Sequence, residues 1–451
     1  VLETAEFSVI RPRHETLKLE LTYGAERLAK RLPALLQCVP EGVFFCRFLR
    51  SMAYYDELAA GLGEEAYHPA YPAFLSSGDS IRSQIERRDL LLCYPYHSMQ
   101  PFFDFLEQAA DDPQVSKIQI TLYRLAAQSH VAAALKRAAE AGKEVVVWIE
   151  LRARFDEQAN LAWAERLRRW GCRVFYGPER AKCHAKLCLI TGEKVRLLQV
   201  GTGNYHEGTA RQYADFSLFT ADRELCDDAA DFFAGLEAGA WEGSYRQLLV
   251  SPWGVQRELL RLIAREGEKG AGGQIVLKCN ALTDGKVIEE LCRAARAGAR
   301  VQLLVRGACC LLPGVPGKTE GITVQGTVGR FLEHARVFAF GEGEEDPLYL
   351  SSADLMPRSC KRRVEIACPV KDPALRRFLR EYLAAELQDR AGSRSLLPDG
   401  TFAPAEDGLS SQEALAAEPP CPLPLTVQRQ RESDALTSYH QYNPIFPNGQ
   451  S

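Results

Sequence analysis

Apolar residues recur along this chain with two alternating periods. Short, nearly continuous apolar runs over 89–95, 115–122, 145–151 and 183–190 read as strands. Between them, apolar positions three and four apart predict helices over 99–110, 130–141 and 160–170, with Gly142 and Gly171 as left-handed caps. The same order returns later: a helix over 255–266, a Gly-rich loop to Gly273, a strand over 301–305 and a helix over 374–387. Strands alternating with helices predict α/β layers around a largely parallel sheet. Residues 1–88 read differently. A half-exposed strand covers 17–22, helices cover 25–37 and 44–60, and a short helix covers 80–87 with Asp79 as its cap. From 418 the chain is Pro-rich, then polar, which predicts a disordered tail over 418–451.

The later elements are a second copy of the earlier ones. Lys136-Arg137-Ala138-Ala139-Glu140-Ala141-Gly142 matches Cys292-Arg293-Ala294-Ala295-Arg296-Ala297-Gly298 at an offset of 156. Ile120-Thr121-Leu122-Tyr123-Arg124 matches Val276-Leu277-Lys278-Cys279-Asn280 at the same offset. Further on, His184-Ala185-Lys186 matches His334-Ala335-Arg336 at an offset of 150. Gly201-Thr202-Gly203-Asn204 and Ser351-Ser352-Ala353-Asp354 keep that offset, so Asn204 and Asp354 each lie twenty residues after a histidine. A period this long is a duplicated domain rather than a solenoid. It predicts two histidines facing each other across a pseudo-twofold cleft.

Chemistry concentrates at the matched positions. On a strand, His184 and Lys186 share a face, placing a nucleophilic nitrogen beside a cation. Arg124 and Arg154 end strands ahead of them, where α/β sheets bind ligands. Arg306 precedes His334 by 28 residues, as Arg154 precedes His184 by 30. Tyr213 reads either as a core aromatic or as a nucleotide contact. Arg358, Lys361, Arg362 and Arg363 form a basic run beside the second loop.

Composition narrows the classes. A net charge of −4 exerts no global pull on nucleic acid or membrane, so any polyanion must meet local clusters. The 14 cysteines are scattered without zinc spacing, as in a reduced chain with buried thiols. No run of about 18 apolar residues predicts a transmembrane helix, and no signal peptide is evident. The chain opens on Val1 rather than Met, which suggests a start inside a longer protein.

Seven motifs, taken in order, resemble those of histidine-phosphorylating polyphosphate kinases. They are Thr121-Leu122-Tyr123-Arg124, Ala153-Arg154-Phe155-Asp156-Glu157, Lys182 through Lys186, Gly201 through Asn204, Val305-Arg306-Gly307, Gly329-Arg330-Phe331-Leu332-Glu333-His334 and Ser351-Ser352-Ala353-Asp354. The resemblance runs from about residue 40 to about residue 415. It implies a fold of two related phospholipase D-like α/β domains, 89–250 and 251–417, in a pseudo-twofold pair. A partial α/β head domain, 1–88, would precede them. It implies reversible transfer of the terminal phosphate of ATP to inorganic polyphosphate through a phosphohistidine at His184. His334 would be the second essential histidine, in an acid/base or phosphate-holding role. Tyr213, Arg306 and His334 would line the ATP site. Arg124 and Arg154 would form the magnesium–phosphate site, with Lys186 and Asn204 beside the phosphates and Mg²⁺ as cofactor. It also implies ATP or ADP and polyphosphate as partners, no nucleic acid, a homo-oligomer as one option, and a cytoplasmic place with membrane association as a variant.

The chain departs from the family at several points. The family's amino-terminal domain is missing, and the opening strand carries Cys93-Tyr94-Pro95-Tyr96 where two histidines are usual. His97-Ser98-Met99 stands where Asp-Ser-Phe is common. Two other readings remain. A phospholipase D-like phosphodiesterase would need Asp five residues after the Lys, where this chain has Thr191 and, in the second copy, Gly341. A truncated, inactive polyphosphate-binding protein is the other.

Overall fold

Connection length decides how the strands pair. Leu187–Gly192 runs into Arg196–Gly201 across three residues, far short of the dozen or so a parallel crossover needs, and the two pair antiparallel. The computed structural model describes residues 67–422, apart from Ser77, Arg154, Phe155, Glu179 and Ala405, and the backbone of three strands nearer the amino terminus. The chain divides into two compact units between His68 and Pro69.

In the first unit, Phe7–Ile10 pairs antiparallel with Lys18–Thr22, which pairs parallel with Val43–Cys46. The last of these corrects the start of the helix expected over 44–60, the rest of which lies outside the described residues. Val43-Phe44-Phe45-Cys46 is a β-branched and aromatic run that suits a pleated surface. The helix expected over 25–37 lies outside the described residues, as does the tail beyond 422.

The second unit holds two eight-stranded sheets that share seven strands in matching order and differ in the eighth, Leu332–Glu333 in the first and Ser393–Ser395 in the second. In the first, Val115–Leu122, Glu144–Ile149 and Arg173–Tyr176 pair parallel. On its other side Val115–Leu122 pairs antiparallel with Leu187–Gly192, followed by Arg196–Gly201 and Tyr213–Thr220. In the second, Gln274–Cys279, Arg300–Val305 and Ile322–Thr327 pair parallel. Antiparallel Arg336–Phe340, Leu348–Ser351, Ile366–Pro369 and Leu249–Val250 extend it on one side, and Ser393–Ser395 on the other. Both sheets are therefore mixed rather than largely parallel. Crossovers of more than a dozen residues join the parallel neighbours, helical except over 306–321, whereas the short links 193–195 and 341–347 leave only antiparallel pairing.

Each half has its own core. Phe102, Phe105, Leu135, Ile120, Val147, Trp163 and Phe219 fill the first; Leu259, Leu262, Leu277, Leu291, Val301, Phe338 and Phe340 fill the second. Each such side chain stabilises the fold by roughly 1.5–3 kcal/mol when fully buried. Helix ends follow local chemistry. Ser129 caps His130–Glu140 by accepting the Ala132 N–H, and Gly142 beyond it adopts φ +81°. Ser80, rather than Asp79, caps Ile81–Arg87. The expected Gly-rich loop after 266 is shorter than anticipated, since the helix continues as Gly254–Glu268.

Candidate functional site

The two sheets meet through two short, symmetric strand pairs. Lys182–Cys183 of the first half pairs parallel with Arg363–Val364 of the second. Leu332–Glu333 of the second pairs parallel with the start of Tyr213–Thr220 in the first. Each exchange ends at a histidine: His184 N–H donates to Val364 O (2.9 Å), and His334 N–H donates to Ala214 O (3.1 Å).

The continuous strand expected over 183–190 is therefore broken at His184–Lys186. His184 spends its backbone N–H on the other half. The Thr121 hydroxyl spans the gap, donating to Ala185 O (2.8 Å) and accepting Leu187 N–H (3.0 Å). Buried Glu150 anchors the preceding strand by accepting Cys183 N–H (2.7 Å).

The same exchange brings a carboxylate to each ring. His184 Nδ1 lies 2.9 Å from Glu365 Oε2, one residue past Val364. His334 Nδ1 lies 2.7 Å from Asp215 Oδ2, one residue past Ala214. Each carboxylate stands 31 positions after the histidine of its own half (184 to 215, 334 to 365) yet bonds the histidine of the other. Burial lowers the His184 pKa to about 3; Glu365 pulls it upward, while neighbouring Lys186 pulls it down. Burial also lowers His334, against the pull of Asp215. Both pairs are thus neutral imidazoles donating Nδ1–H to carboxylates, which leaves each Nε2 with its lone pair.

The cations differ between halves. Lys186 is 1% exposed, and its Nζ donates to His184 O (2.5 Å) and sits 5.5 Å from the Tyr123 ring centre. Burial lowers its pKa to about 7, with Glu365 raising it and Arg336 lowering it. Asn204 Oδ1 is buried without a hydrogen-bond partner. At the matching positions, Arg336 forms a fork with Asp354 (both N···O 3.1 Å). Burial opposes both charges, but each holds the other ionised, so the Arg336 pKa is raised and the Asp354 pKa lowered. Arg336 Nη1 also lies 3.1 Å from Nε2 and 3.3 Å from Nδ1 of the His334 ring.

The remaining expected residues fall into two groups. Tyr213 lies beside His334 (ring centres 5.2 Å apart). Arg306 Nε donates to Asn280 Oδ1, and the Asn280 amide donates to His334 O (2.9 Å). On the other side the Tyr123 ring stands edge-on to His184 (5.0 Å), and Arg124 pairs with Asp156 (2.7 Å). Arg154 lies outside the described residues. Of the basic run, Arg363 Nη1 is 3.6 Å from Glu365 Oε1. Among the described residues no group of three or more His, Cys, Asp or Glu is arranged to hold a metal ion, and none of the described helices is long and apolar enough to cross a membrane.

Sequence reasoning missed Asp215, Glu365 and Tyr123 as site residues. The common spacing of 31 was a signal for both carboxylates; the crossing was not legible. A Cβ at Gly203 would lie 2.3 Å from Asp215 Oδ2, which explains glycine there. A buried group behind His334 was also missed. Lys278 Nζ bonds both Glu333 (2.7 Å) and Glu386 (2.6 Å), and Gln412 donates to Glu333 (2.5 Å).

Two family models match the chain: polyphosphate kinase C-terminal domain 1 over residues 80–241 and polyphosphate kinase C-terminal domain 2 over residues 248–416. The polyphosphate kinase of Pseudomonas putida is 44% identical over 343 residues, covering 74% of this chain and 47% of that protein. Polyphosphate kinase 1 of Chlorobaculum tepidum is 43% identical over 333 residues, covering 72% and 48%. The crystal structure of polyphosphate kinase from Porphyromonas gingivalis matches with a TM-score of 0.74 at 30% identity, over 92% of this chain and 66% of that one. The chain spans about half the length of the curated relatives it matches.

Proposed function

This chain belongs to the polyphosphate kinase family, and from that premise we propose that it transfers the terminal phosphate of ATP to polyphosphate, reversibly, through a phosphohistidine at His184. The observation that carries the reading is a neutral imidazole oriented by Glu365 beside Lys186, a cation without a carboxylate at hydrogen-bond distance among the described residues.

Phosphoryl transfer asks the protein for in-line positioning and charge neutralisation. The His184 Nε2 lone pair attacks the γ-phosphorus. A P–N bond forms, the β–γ bridging P–O bond breaks, and ADP leaves with the electron pair. Glu365 holds the Nδ1 proton and stabilises the positive charge that develops on the ring. Lys186, Arg124, Arg154 and Arg363 neutralise the equatorial oxygens, the arginines through planar forks suited to phosphate. Asn204 donates its amide to one of these oxygens. Tyr213 and Arg306 hold the nucleotide, and His334, oriented by Asp215, stands at the leaving oxygen. A terminal polyphosphate oxygen then attacks the phosphohistidine, breaking the P–N bond and restoring His184. Both sides of the exchange are phosphoanhydrides, so neither direction is strongly favoured. Mg²⁺ enters as part of the nucleotide substrate; arginine has no lone pair for it, so Arg124 and Arg154 lie on the phosphates.

The test is to incubate the protein with γ-labelled ATP and map the label. Acid-labile, base-stable phosphate on His184 is expected. Label persisting in His184→Ala sinks the reading.

A further inference from the structure

We propose that Ser352 and Thr202 are positioning residues wired crosswise, each hydroxyl fixing the carboxylate that orients the histidine of the opposite half. Ser352 would therefore govern the His184 imidazole, and Thr202 the His334 imidazole. The inference rests on the phosphohistidine reading for its kinetic consequences, but its geometry stands independently.

The two hydroxyls occupy matching places. Thr202 Oγ1 donates to Asp215 Oδ1 (2.6 Å), and Ser352 Oγ donates to Glu365 Oε2 (2.6 Å); each lies thirteen residues before its carboxylate. Each hydroxyl also accepts the backbone N–H just past that carboxylate, from Phe216 (2.9 Å) and Ile366 (3.0 Å). Their own N–H groups donate to Phe216 O (3.0 Å) and Ile366 O (2.9 Å). An ionised carboxylate only accepts, so the hydroxyl is the donor of each short contact; for Ser352 the other acceptor in reach, Ile366 O, is farther off at 3.4 Å. Both residues are at most 2% exposed, so an unbonded hydroxyl would be costly there.

The arrangement makes one chain of bonds per site: hydroxyl to carboxylate to imidazole. Its members come from both halves, because the carboxylates cross. A hydroxyl bonded to a carboxylate restricts its rotation and lowers its basicity, keeping the proton on Nδ1 and the lone pair on Nε2. The two chains are not equal. Ser352 and His184 converge on the same Glu365 oxygen, while the other oxygen has no hydrogen bond among the described residues and lies 3.6 Å from Arg363 Nη1. Asp215 spreads its donors over two oxygens, with His334 reaching both. Losing Ser352 should therefore loosen His184 more than losing Thr202 loosens His334.

Ser351 supplies a neighbouring control. It is equally buried, but its hydroxyl donates to Ile366 O (3.1 Å) and accepts Ala353 N–H (3.0 Å), with no carboxylate involved. Wild-type protein, Ser352→Ala, Ser352→Thr, Thr202→Ala and Ser351→Ala are compared in two measurements. The first records the imidazole Nδ1–H resonances of ¹⁵N-histidine protein, assigned with His184→Ala and His334→Ala. Ser352→Ala should move the His184 signal and Thr202→Ala the His334 signal, with neither moving the other. The second follows labelling of His184 by γ-labelled ATP in a single turnover. Ser352→Ala should slow it on the order of 10-fold, with the ATP concentration for half-maximal rate within about twofold of wild type. Ser352→Thr, which copies the first half, should restore most of the rate, and Ser351→Ala should remain near wild type. Equal effects of Ser352→Ala and Ser351→Ala, or each hydroxyl moving the histidine of its own half, would overturn the proposal. Failure of the wild type to label at His184 would instead end the phosphohistidine reading, leaving the resonance measurement as the test of the wiring.

Discussion

The two halves share a scaffold and differ in what they do with their cation. In the second, Asp354 neutralises Arg336, whose guanidinium also lies against the His334 ring. In the first, the matching position is Asn204, and among the described residues the hydrogen bond of Lys186 goes to a backbone carbonyl, His184 O. One carboxylate-to-amide difference thus accompanies a charge paired within the half in one case and, among the described residues, a charge with no carboxylate at hydrogen-bond distance in the other. Duplication supplied two oriented histidines; divergence at this pair distinguishes the half we assign to attack on phosphorus.

The sharpest break of that comparison is to remove each histidine in turn. His184→Ala should abolish labelling by γ-labelled ATP, whereas His334→Ala should slow labelling and ATP/ADP exchange together, since exchange is the same step run both ways, with the label still on His184. Label confined to His334 in the wild type would reverse the assignment. Next come the crossed carboxylates. Glu365→Gln should slow His184 labelling by roughly 10²–10³-fold, because an amide no longer enforces the Nδ1–H tautomer. Asp215→Asn should act on nucleotide turnover with a smaller effect on a preformed phosphohistidine; equal losses in both steps would deny the division of labour.

Exchanging the distinguishing pair is gentler. Asn204→Asp gives Lys186 a partner and should reduce labelling about 10–100-fold by competing with phosphate for the ammonium. Asp354→Asn strands a buried guanidinium and should cost about 3–5 kcal/mol in denaturant unfolding. A labelling loss without a stability loss in the second variant would contradict the structural role given to that ion pair.

The smallest effect is a pH slope. Burial lowers Lys186 to about 7, below its ordinary value of 10.5, so the folded protein binds that proton more weakly than the unfolded chain. Ligand-free protein should therefore gain stability from this group as pH rises from 7 toward 10.5, and carry the full cost of the buried ammonium below 7. Lys186→Met should remove that slope and raise stability at neutral pH by on the order of a few kcal/mol while abolishing labelling. Added polyphosphate should flatten the wild-type slope by favouring the ammonium. Arg336 should contribute no such slope, since Asp354 keeps it charged.

Much of the fold was legible because periodicity and caps act locally. The helix over His130–Glu140 and its counterpart Gly285–Arg296 were visible in their apolar spacing and Ala-Gly ends. Sheet direction was not, since pairing depends on partners far along the chain. Nor was the strand break at His184, where a backbone N–H turns to Val364, 180 residues away.

By itself, the sequence determined the duplication, the matched histidines and the identity of the cations, because these are properties of residue order and spacing. It also determined that Asn204 stands where Asp354 does. Only the tertiary structure decided that Glu365 serves His184 and Asp215 serves His334, because that pairing is made by strands exchanged between the halves. Only burial decided the charge balance: it lowers the pKa of both imidazoles, favouring their neutral forms, and makes the Lys186 ammonium costly.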